Sequence, residues 1–205
     1  MKRKTFFQDF TLMIPENVYF PEEDSELLAE NLKIEKNSIV LDLGCGSGIQ
    51  SLQALKLGAG KVFCLDLNPL ALKTTKENLE LNGFKENQFT LIESNLFEKV
   101  PETLKFDLII FNPPYVQTQN LGHSSSEQAV NGGHKGRQIT DVFLKQFSSF
   151  LKPSGTLFLL QSNLNNVQKT KKILSSLNFQ SEVIACKKLF FEELVVLKAK
   201  RKTLN

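Results

Sequence analysis

A strand-like apolar run, Ser38-Ile39-Val40-Leu41-Asp42-Leu43, stops at glycines in alternate positions, Gly44-Cys45-Gly46-Ser47-Gly48. A helical segment follows, then a second apolar run that ends in Leu65-Asp66-Leu67. This order constrains the chain more than any other feature. Glycines spaced in this way let the backbone turn sharply after a buried strand and approach a ligand closely. A carboxylate at the tip of the neighbouring strand can take both hydroxyls of a ribose. Such a placement needs an open, mostly parallel sheet with crossover helices.

The rest of the chain repeats the alternation. A helix is expected from about Asp24 to Lys33, with Asp24 or Ser25 near its cap, and another runs from the glycine turn to about Leu57. Strand one covers Ser38 to Leu43 and strand two Lys61 to Leu65. Asn68-Pro69 reads as an N-cap and first helical residue, and Asn82-Gly83 as the stop. Strand three is Gln88 to Glu93 and strand four Phe106 to Phe111. The polar stretch from Gln117 to Asn131 reads as a mobile loop. A helix from Gly136 to Leu151, a strand from Gly155 to Gln161 and a helix from Asn165 to Leu177 follow. Two β-rich runs, Gln180 to Ala185 and Leu189 to Lys198, lie too close together for a crossover helix and should pair antiparallel.

With 205 residues the chain fits one α/β domain, with residues 1–17 as an N-terminal extension and 199–205 as a basic tail. No apolar run approaches the ~20 residues that span a bilayer, and Lys2-Arg3-Lys4 does not lead into a signal peptide. Cys45, Cys64 and Cys186 fit neither a disulfide framework nor a zinc cluster, so a reducing, cytoplasmic setting is expected. The net charge of +3 misleads. Lys2, Arg3, Lys4, Lys198, Lys200, Arg201 and Lys202 lie at the two ends and read as solvated cations. Without them acidic residues outnumber basic ones, so no globally basic nucleic-acid surface is visible.

A second motif, Asn112-Pro113-Pro114-Tyr115, follows strand four directly. Asn112 offers a side-chain carbonyl and an amide. The two prolines fix φ and remove two backbone donors, which leaves carbonyl acceptors in a set arrangement. Tyr115 adds a flat face with a polar tip. The four residues form a cradle for a planar group bearing an NH2, which is either an amide or a nucleobase.

The glycine motif alone is shared with dinucleotide-binding dehydrogenases, but its details differ. The spacing is G-x-G-x-G, with Ile49 where a third glycine of G-x-G-x-x-G would fall, and Asp42 precedes the turn. A carboxylate there repels a pyrophosphate and attracts an ammonium group. S-adenosylmethionine, with its charged α-amino group, is therefore the expected ligand.

Four blocks together give a resemblance. They are Val18-Tyr19-Phe20-Pro21-Glu22-Glu23-Asp24-Ser25, the glycine motif, the Asn-Pro-Pro-Tyr motif, and Glu127-Gln128-Ala129 with Gly132-Gly133-His134-Lys135-Gly136-Arg137. In this order they resemble class I S-adenosylmethionine-dependent methyltransferases of the HemK type, in the short eukaryotic and archaeal branch. The family modifies a glutamine of class 1 translation release factors. The resemblance implies a Rossmann-like α/β fold. Its seven-stranded sheet has the order 3-2-1-4-5-7-6, with the last strand antiparallel and helices on both faces.

By the same resemblance Asp42, Gly44 and Gly46 would hold the methionine part of the cofactor and Asp66 its ribose, with Asp24, Gly48 and Leu67 also in the cofactor set. Asn95, with Leu96 beside it, stands where the family usually has Asp against the adenine amino group, and Asn can still accept that bond. Asn112 would touch both cofactor and substrate. Asn112, Pro113 and Tyr115 are the expected catalytic residues, and Pro114 and Glu127 are expected to contact substrate. Val130 replaces a common Trp, and Phe20 a small acidic residue, so details of the substrate pocket differ. His123 and His134 read as solvated loop residues, and no metal site is expected.

The bacterial branch carries an N-terminal helical domain, whereas here the first block begins by Val18. The resemblance therefore implies a small zinc-binding activator subunit as partner. Strand three would be an open edge, and Gln88-Phe89-Thr90-Leu91-Ile92 is uncharged, an edge that needs covering. Release-factor glutamine methylation is the leading reading. N6-methylation of adenine shares the cradle but calls for a basic face. An inactive cofactor-binding scaffold would not need Asp42, Asp66 and Asn112 intact, and nothing marks a lysine target.

Overall fold

The computed structural model describes residues 1–115 and 137–203. Elements follow in the order β1 (Lys2–Phe7), β2 (Phe10–Pro15), α1 (Glu23–Glu30), β3 (Ile39–Leu43), α2 (Ile49–Lys56), β4 (Lys61–Asp66), α3 (Pro69–Leu81), β5 (Phe89–Glu93) and β6 (Phe106–Phe111). After residues 116–136 come α4 (Gln138–Gln146), β7 (Leu151–Ser162), α5 (Val167–Ser176), β8 (Phe179–Lys188) and β9 (Glu193–Arg201).

Strands β3 to β9 make one seven-stranded sheet in the order β5-β4-β3-β6-β7-β9-β8. Counted within this sheet, that is the expected 3-2-1-4-5-7-6. Strands β3 to β7 run parallel, and β9 runs antiparallel to both β7 and β8. Alternating side chains feed two cores. Val40, Leu108, Ile110, Phe158, Leu160 and Val196 point to the face covered by α1, α2 and α3. Leu41, Leu43, Ile109, Phe111, Leu157 and Leu159 point to the opposite face, beneath α4 and α5. A run of ring contacts threads the second face from Phe111 to Phe143 (4.6 Å), Phe147 (5.3 Å) and Phe179 (5.0 Å). Phe111, immediately before the Asn-Pro-Pro-Tyr motif, is thereby locked into the core.

Helix boundaries follow local chemistry. Asn68 caps α3, its side chain accepting from the Leu70 N–H, with Pro69 at the first position, as the sequence implies. Helix α1 ends at Glu30 rather than Lys33, where the Asn31 side chain donates back to the Leu27 carbonyl at 2.8 Å. Its N-cap position is Glu22, whose side chain makes no capping bond, and Asp24 lies in the first turn. Helix α4 begins at Gln138, and a short 3-10 turn, Phe147–Ser149, replaces its expected last turn. Strand β7 starts at Leu151, earlier than the expected Gly155.

Both ends of the chain depart from expectation. Residues 2–15 form an antiparallel hairpin rather than a bare extension. Leu12 and Ile14 are fully buried in the first core. The open edge of β2 is satisfied by side chains of α3: Met13 N–H donates to Asn78 Oδ1 (2.8 Å) and Thr11 N–H to Asn82 Oδ1 (3.0 Å). Lys2 pairs with Glu77 at 2.6 Å, and Arg3 lies 4.1 Å above the Phe20 ring. At the other end the expected basic tail from 199 is strand as far as Arg201, with Ala199 buried. Arg201 donates to the Ser148 carbonyl at 2.6 Å and stacks on Phe179. These cations are therefore spent on folding. The expected loop from Gln117 to Asn131 lies outside the described residues, as do Glu127, His123 and His134. No helix among the described residues is long and apolar enough to cross a membrane.

Candidate active site

The parallel strands deliver their C-terminal ends to one rim of the sheet. Strand order reverses between β3 and β6, the position where doubly wound sheets open a crevice. Leu43 and Phe111 are register partners across that pair. Gly44 and Asn112 therefore leave adjacent strands side by side.

The glycine turn is built from short-range bonds. Gly44, Gly46 and Gly48 have φ of 68°, 54° and 84°. At Gly48 the need is also steric, since a Cβ would lie 3.1 Å from the Thr75 Cα on α3. The Cys45 N–H donates to the Leu65 carbonyl (2.9 Å) and the Gly46 N–H to Asp66 Oδ2 (3.0 Å). Asp66 Oδ1 accepts from the Asn68 N–H at 2.8 Å. Burial raises the Asp66 pKa, opposed by the N–H groups of Asn68, Gly46 and Leu67. From α3 the Thr75 hydroxyl donates to the Gly46 carbonyl at 3.1 Å, and Asn78 Nδ2 to the Ser47 carbonyl at 2.9 Å.

Asp42, the penultimate residue of β3, is 1% exposed, and its carboxylate accepts from the Ser51 hydroxyl of α2 at 2.6 Å. Burial pushes its pKa up to about 7, helped by the Asp66 charge and opposed by the Ser51 bond.

Asp66, Leu67, Asn95 and Leu96 come to the same rim. Leu67 is exposed, and the turn after β5 is tied to β4 by the Ser94 N–H on the Asp66 carbonyl at 3.0 Å. Leu96 adopts φ of 47°, a conformation uncommon outside glycine. Asn95 Nδ2 donates to Glu98 Oε1 at 2.8 Å, which leaves its carbonyl oxygen as the acceptor.

The acceptor motif is pinned from far away in sequence. Asn112 Nδ2 donates to Asp24 Oδ2 at 3.0 Å. Asp24 is 3% exposed, and its Oδ1 accepts from the Tyr19 hydroxyl (3.0 Å) and the Ser25 N–H (2.6 Å). The Tyr115 hydroxyl lies 3.4 Å from Asp24 Oδ2. Both tyrosine pKa values are raised, chiefly by burial and then by the Asp24 charge, so both hydroxyls stay protonated donors. With its NH2 held by Asp24, Asn112 keeps a buried Oδ1 that has no partner among the described residues. Such an acceptor is costly to leave empty, and it marks where a donor belongs.

Three residues in this arrangement carry no assigned role in the sequence reading. Tyr19 holds Asp24. Asn165 donates to the Tyr115 carbonyl at 3.0 Å. Arg137, buried to 6% exposure, donates to the Asn165 carbonyl and to Asn166 O at 3.1 Å, and pairs with Asp141 at 2.7 Å. Tyr19 and Arg137 stand inside the motif blocks quoted above, which was the available signal. Asn165 has no such signal, because its partner lies across a crossover. Asp24 itself sits between the two motifs, since Gln50 Nε2 of α2 donates to the Ser25 carbonyl at 2.8 Å.

Residues 21–191 match the family described as Methyltransferase small domain. A Methanocaldococcus jannaschii protein, named provisionally as a protein N5-glutamine methyltransferase, is 42% identical over 192 residues, covering 93% of this chain and 95% of its own. Human Methyltransferase HEMK2 is 32% identical over 192 residues, covering 89% of each. Among solved structures, the Mtq2 chain of the E. cuniculi Mtq2–Trm112 complex aligns with a TM-score of 0.70 at 25% identity, over 91% of this chain and 99% of its own. That complex is described as methylating the translation termination factor eRF1. The glycine turn, the switch-point cradle and these relatives agree: the chain belongs to the methyltransferase small domain family, as a HemK-type S-adenosylmethionine-dependent methyltransferase.

Proposed function

We propose that this protein methylates the side-chain amide nitrogen of a glutamine in the Gly-Gly-Gln loop of a class 1 release factor. The observation that carries the reading is the buried Oδ1 of Asn112, without a partner among the described residues, beside the glycine turn. An amide nitrogen is a poor nucleophile because its lone pair is delocalised. Asn112 Oδ1 and the Pro113 carbonyl would each accept one of its N–H groups, fixing the nitrogen and stabilising charge as it develops there. Asp24 keeps the Asn112 amide from rotating its NH2 into the cradle. Pro114 and Tyr115 would flank the flat amide, and Glu127 would contact the substrate from the segment outside the described residues.

The residues present fit S-adenosylmethionine. The left-handed glycine turn and Asp66 border the cradle, and the buried Asp42 lends negative charge beneath a cationic ligand. Gly44, Gly46 and Gly48 would hold its methionine part, Asp66 and Leu67 its ribose, and Asn95 and Leu96 its adenine. When bound, it supplies an electrophilic methyl group. An adenine amino group would fit the same cradle, but the relatives described as protein methyltransferases favour an amide.

The whole chain would act as one methyltransferase domain, working in the cytoplasm where termination occurs. A small zinc-binding activator would cover β5. This strand is the edge of the sheet, with Thr90, Leu91 and Ile92 only partly buried, and the Mtq2 relative is described in complex with Trm112.

The test is transfer of labelled methyl to purified release factor, with the loop Gln against Gln→Ala, with and without the activator. Transfer confined to the intact Gln is expected; transfer to the Gln→Ala protein, or only to nucleic acid, sinks the reading. Asn112→Ala should lower kcat by about 10²–10³-fold while cofactor binding persists.

A further inference from the structure

The β8–β9 hairpin ends in Leu189-Phe190-Phe191-Glu192, closed by the Leu189 N–H on the Glu192 carbonyl at 2.8 Å. Phe190 and Phe191 are 92% and 85% exposed and meet edge to face, 4.6 Å apart at 77°. Nothing in the turn asks for them. Tight turns favour Gly, Asn, Asp, Pro and Ser, and two phenyl rings in water forfeit the stabilisation that burial would bring.

Their position is specific. The Glu193 N–H donates to Asn163 Oδ1 at 3.0 Å, and Asn165, two residues on, holds the Tyr115 carbonyl. Leu189 and Tyr115 pack on the same core, and the Glu192 charge is near enough to raise the Tyr115 pKa. The ring pair thus stands on the acceptor side of the cradle, continuous with it, at the opposite end of the sheet from β5.

We propose that Phe190 and Phe191 dock the polypeptide that carries the acceptor amide, which rests on the reading of the substrate as a protein glutamine. A glutamine in the cradle brings its own main chain over this rim, where Leu164, 61% exposed between Asn163 and Asn165, and the ring pair offer apolar surface. Paired aromatics that lose water on contact are typical anchors of protein interfaces. A nucleic acid suits the tip less well. Glu192 and Glu193 follow the rings as closely as Lys187 and Lys188 precede them, so no cationic track accompanies the stack.

The test compares the wild-type complex with its activator against the Phe190→Ser/Phe191→Ser double variant, using intact release factor. The expected result is a KM for release factor raised about tenfold or more, with kcat and cofactor affinity unchanged. An unchanged KM, a fall in kcat alone, or a shift only in self-association overturns the docking role. Loss of RNA binding in a gel shift, without a change in KM, reassigns the tip to nucleic acid and overturns it too. If the wild-type complex leaves release factor unmodified, the functional reading fails before any variant is compared, and the docking role falls with it.

Discussion

The two halves of the site are built by opposite strategies. The glycine turn is held by the elements that follow it: Asp42 to Ser51 across nine residues, Gly46 to Asp66 across 20 and Ser47 to Asn78 across 31. The acceptor loop is held by more distant ones: Asn112 to Asp24 across 88 residues and Tyr115 to Asn165 across 50. In the cradle Asn112 Oδ1 is a buried acceptor with no partner among the described residues. A pocket for a constant ligand can be finished by its own backbone. A pocket that must position a reacting nitrogen needs its polar groups aimed by segments remote from it in sequence.

If that contrast is right, distant residues should matter for chemistry and near ones for binding. Asp24→Ala leaves the Tyr19 hydroxyl and the Asn112 NH2 without their carboxylate and frees the Asn112 side chain. We expect kcat to fall about 10²-fold, a larger effect than any loss of cofactor affinity measured by calorimetry. A comparable loss of cofactor binding would erase the distinction. Gly48→Ala should do the reverse. It forces a side chain into left-handed backbone against Thr75, at about 1–2 kcal/mol, and should weaken the cofactor more than it slows saturated turnover. Asn165→Ala removes one donor from the Tyr115 carbonyl, which should cost about 1 kcal/mol of cradle alignment, read as a several-fold drop in kcat/KM.

The smallest effect concerns protons. Folded Asp42 keeps its proton up to about pH 7, whereas an unfolded aspartate releases it near pH ~4. The folded state thus binds the extra proton between these limits, so this residue's contribution to stability declines as pH rises from about 4 to about 7 and is level above that. Urea unfolding should show that decline, and Asp42→Asn should flatten it. A cationic cofactor favours the charged carboxylate, so its affinity should rise over the same interval in the wild type.

What the sequence reveals follows the same division. The glycine turn, Asp66 and the Asn68-Pro69 cap are contiguous or nearly so, and a mostly parallel sheet follows from the alternation of strands and helices, whereas the strand order is implied by the family resemblance. The inward turn of Asp42 is less legible, because a residue before a glycine turn reads equally well facing a ligand or a helix. The roles of Asp24, Tyr19, Asn165 and Arg137 in aiming the cradle depend on crossovers that bring together segments with no shared pattern. The N-terminal hairpin is hidden for another reason. Its outer edge is completed by Asn78 and Asn82, and side-chain amides standing in for a strand leave no period-two signal.

The Asp24 cluster has a practical consequence. The chain contains no tryptophan and two tyrosines, and both hydroxyls, Tyr19 and Tyr115, converge on that one carboxylate. The near-ultraviolet emission of the whole protein therefore originates almost entirely beside the proposed acceptor cradle. Without any label, a change in that emission reports directly on how ligands, partners or pH rearrange the residues that aim Asn112.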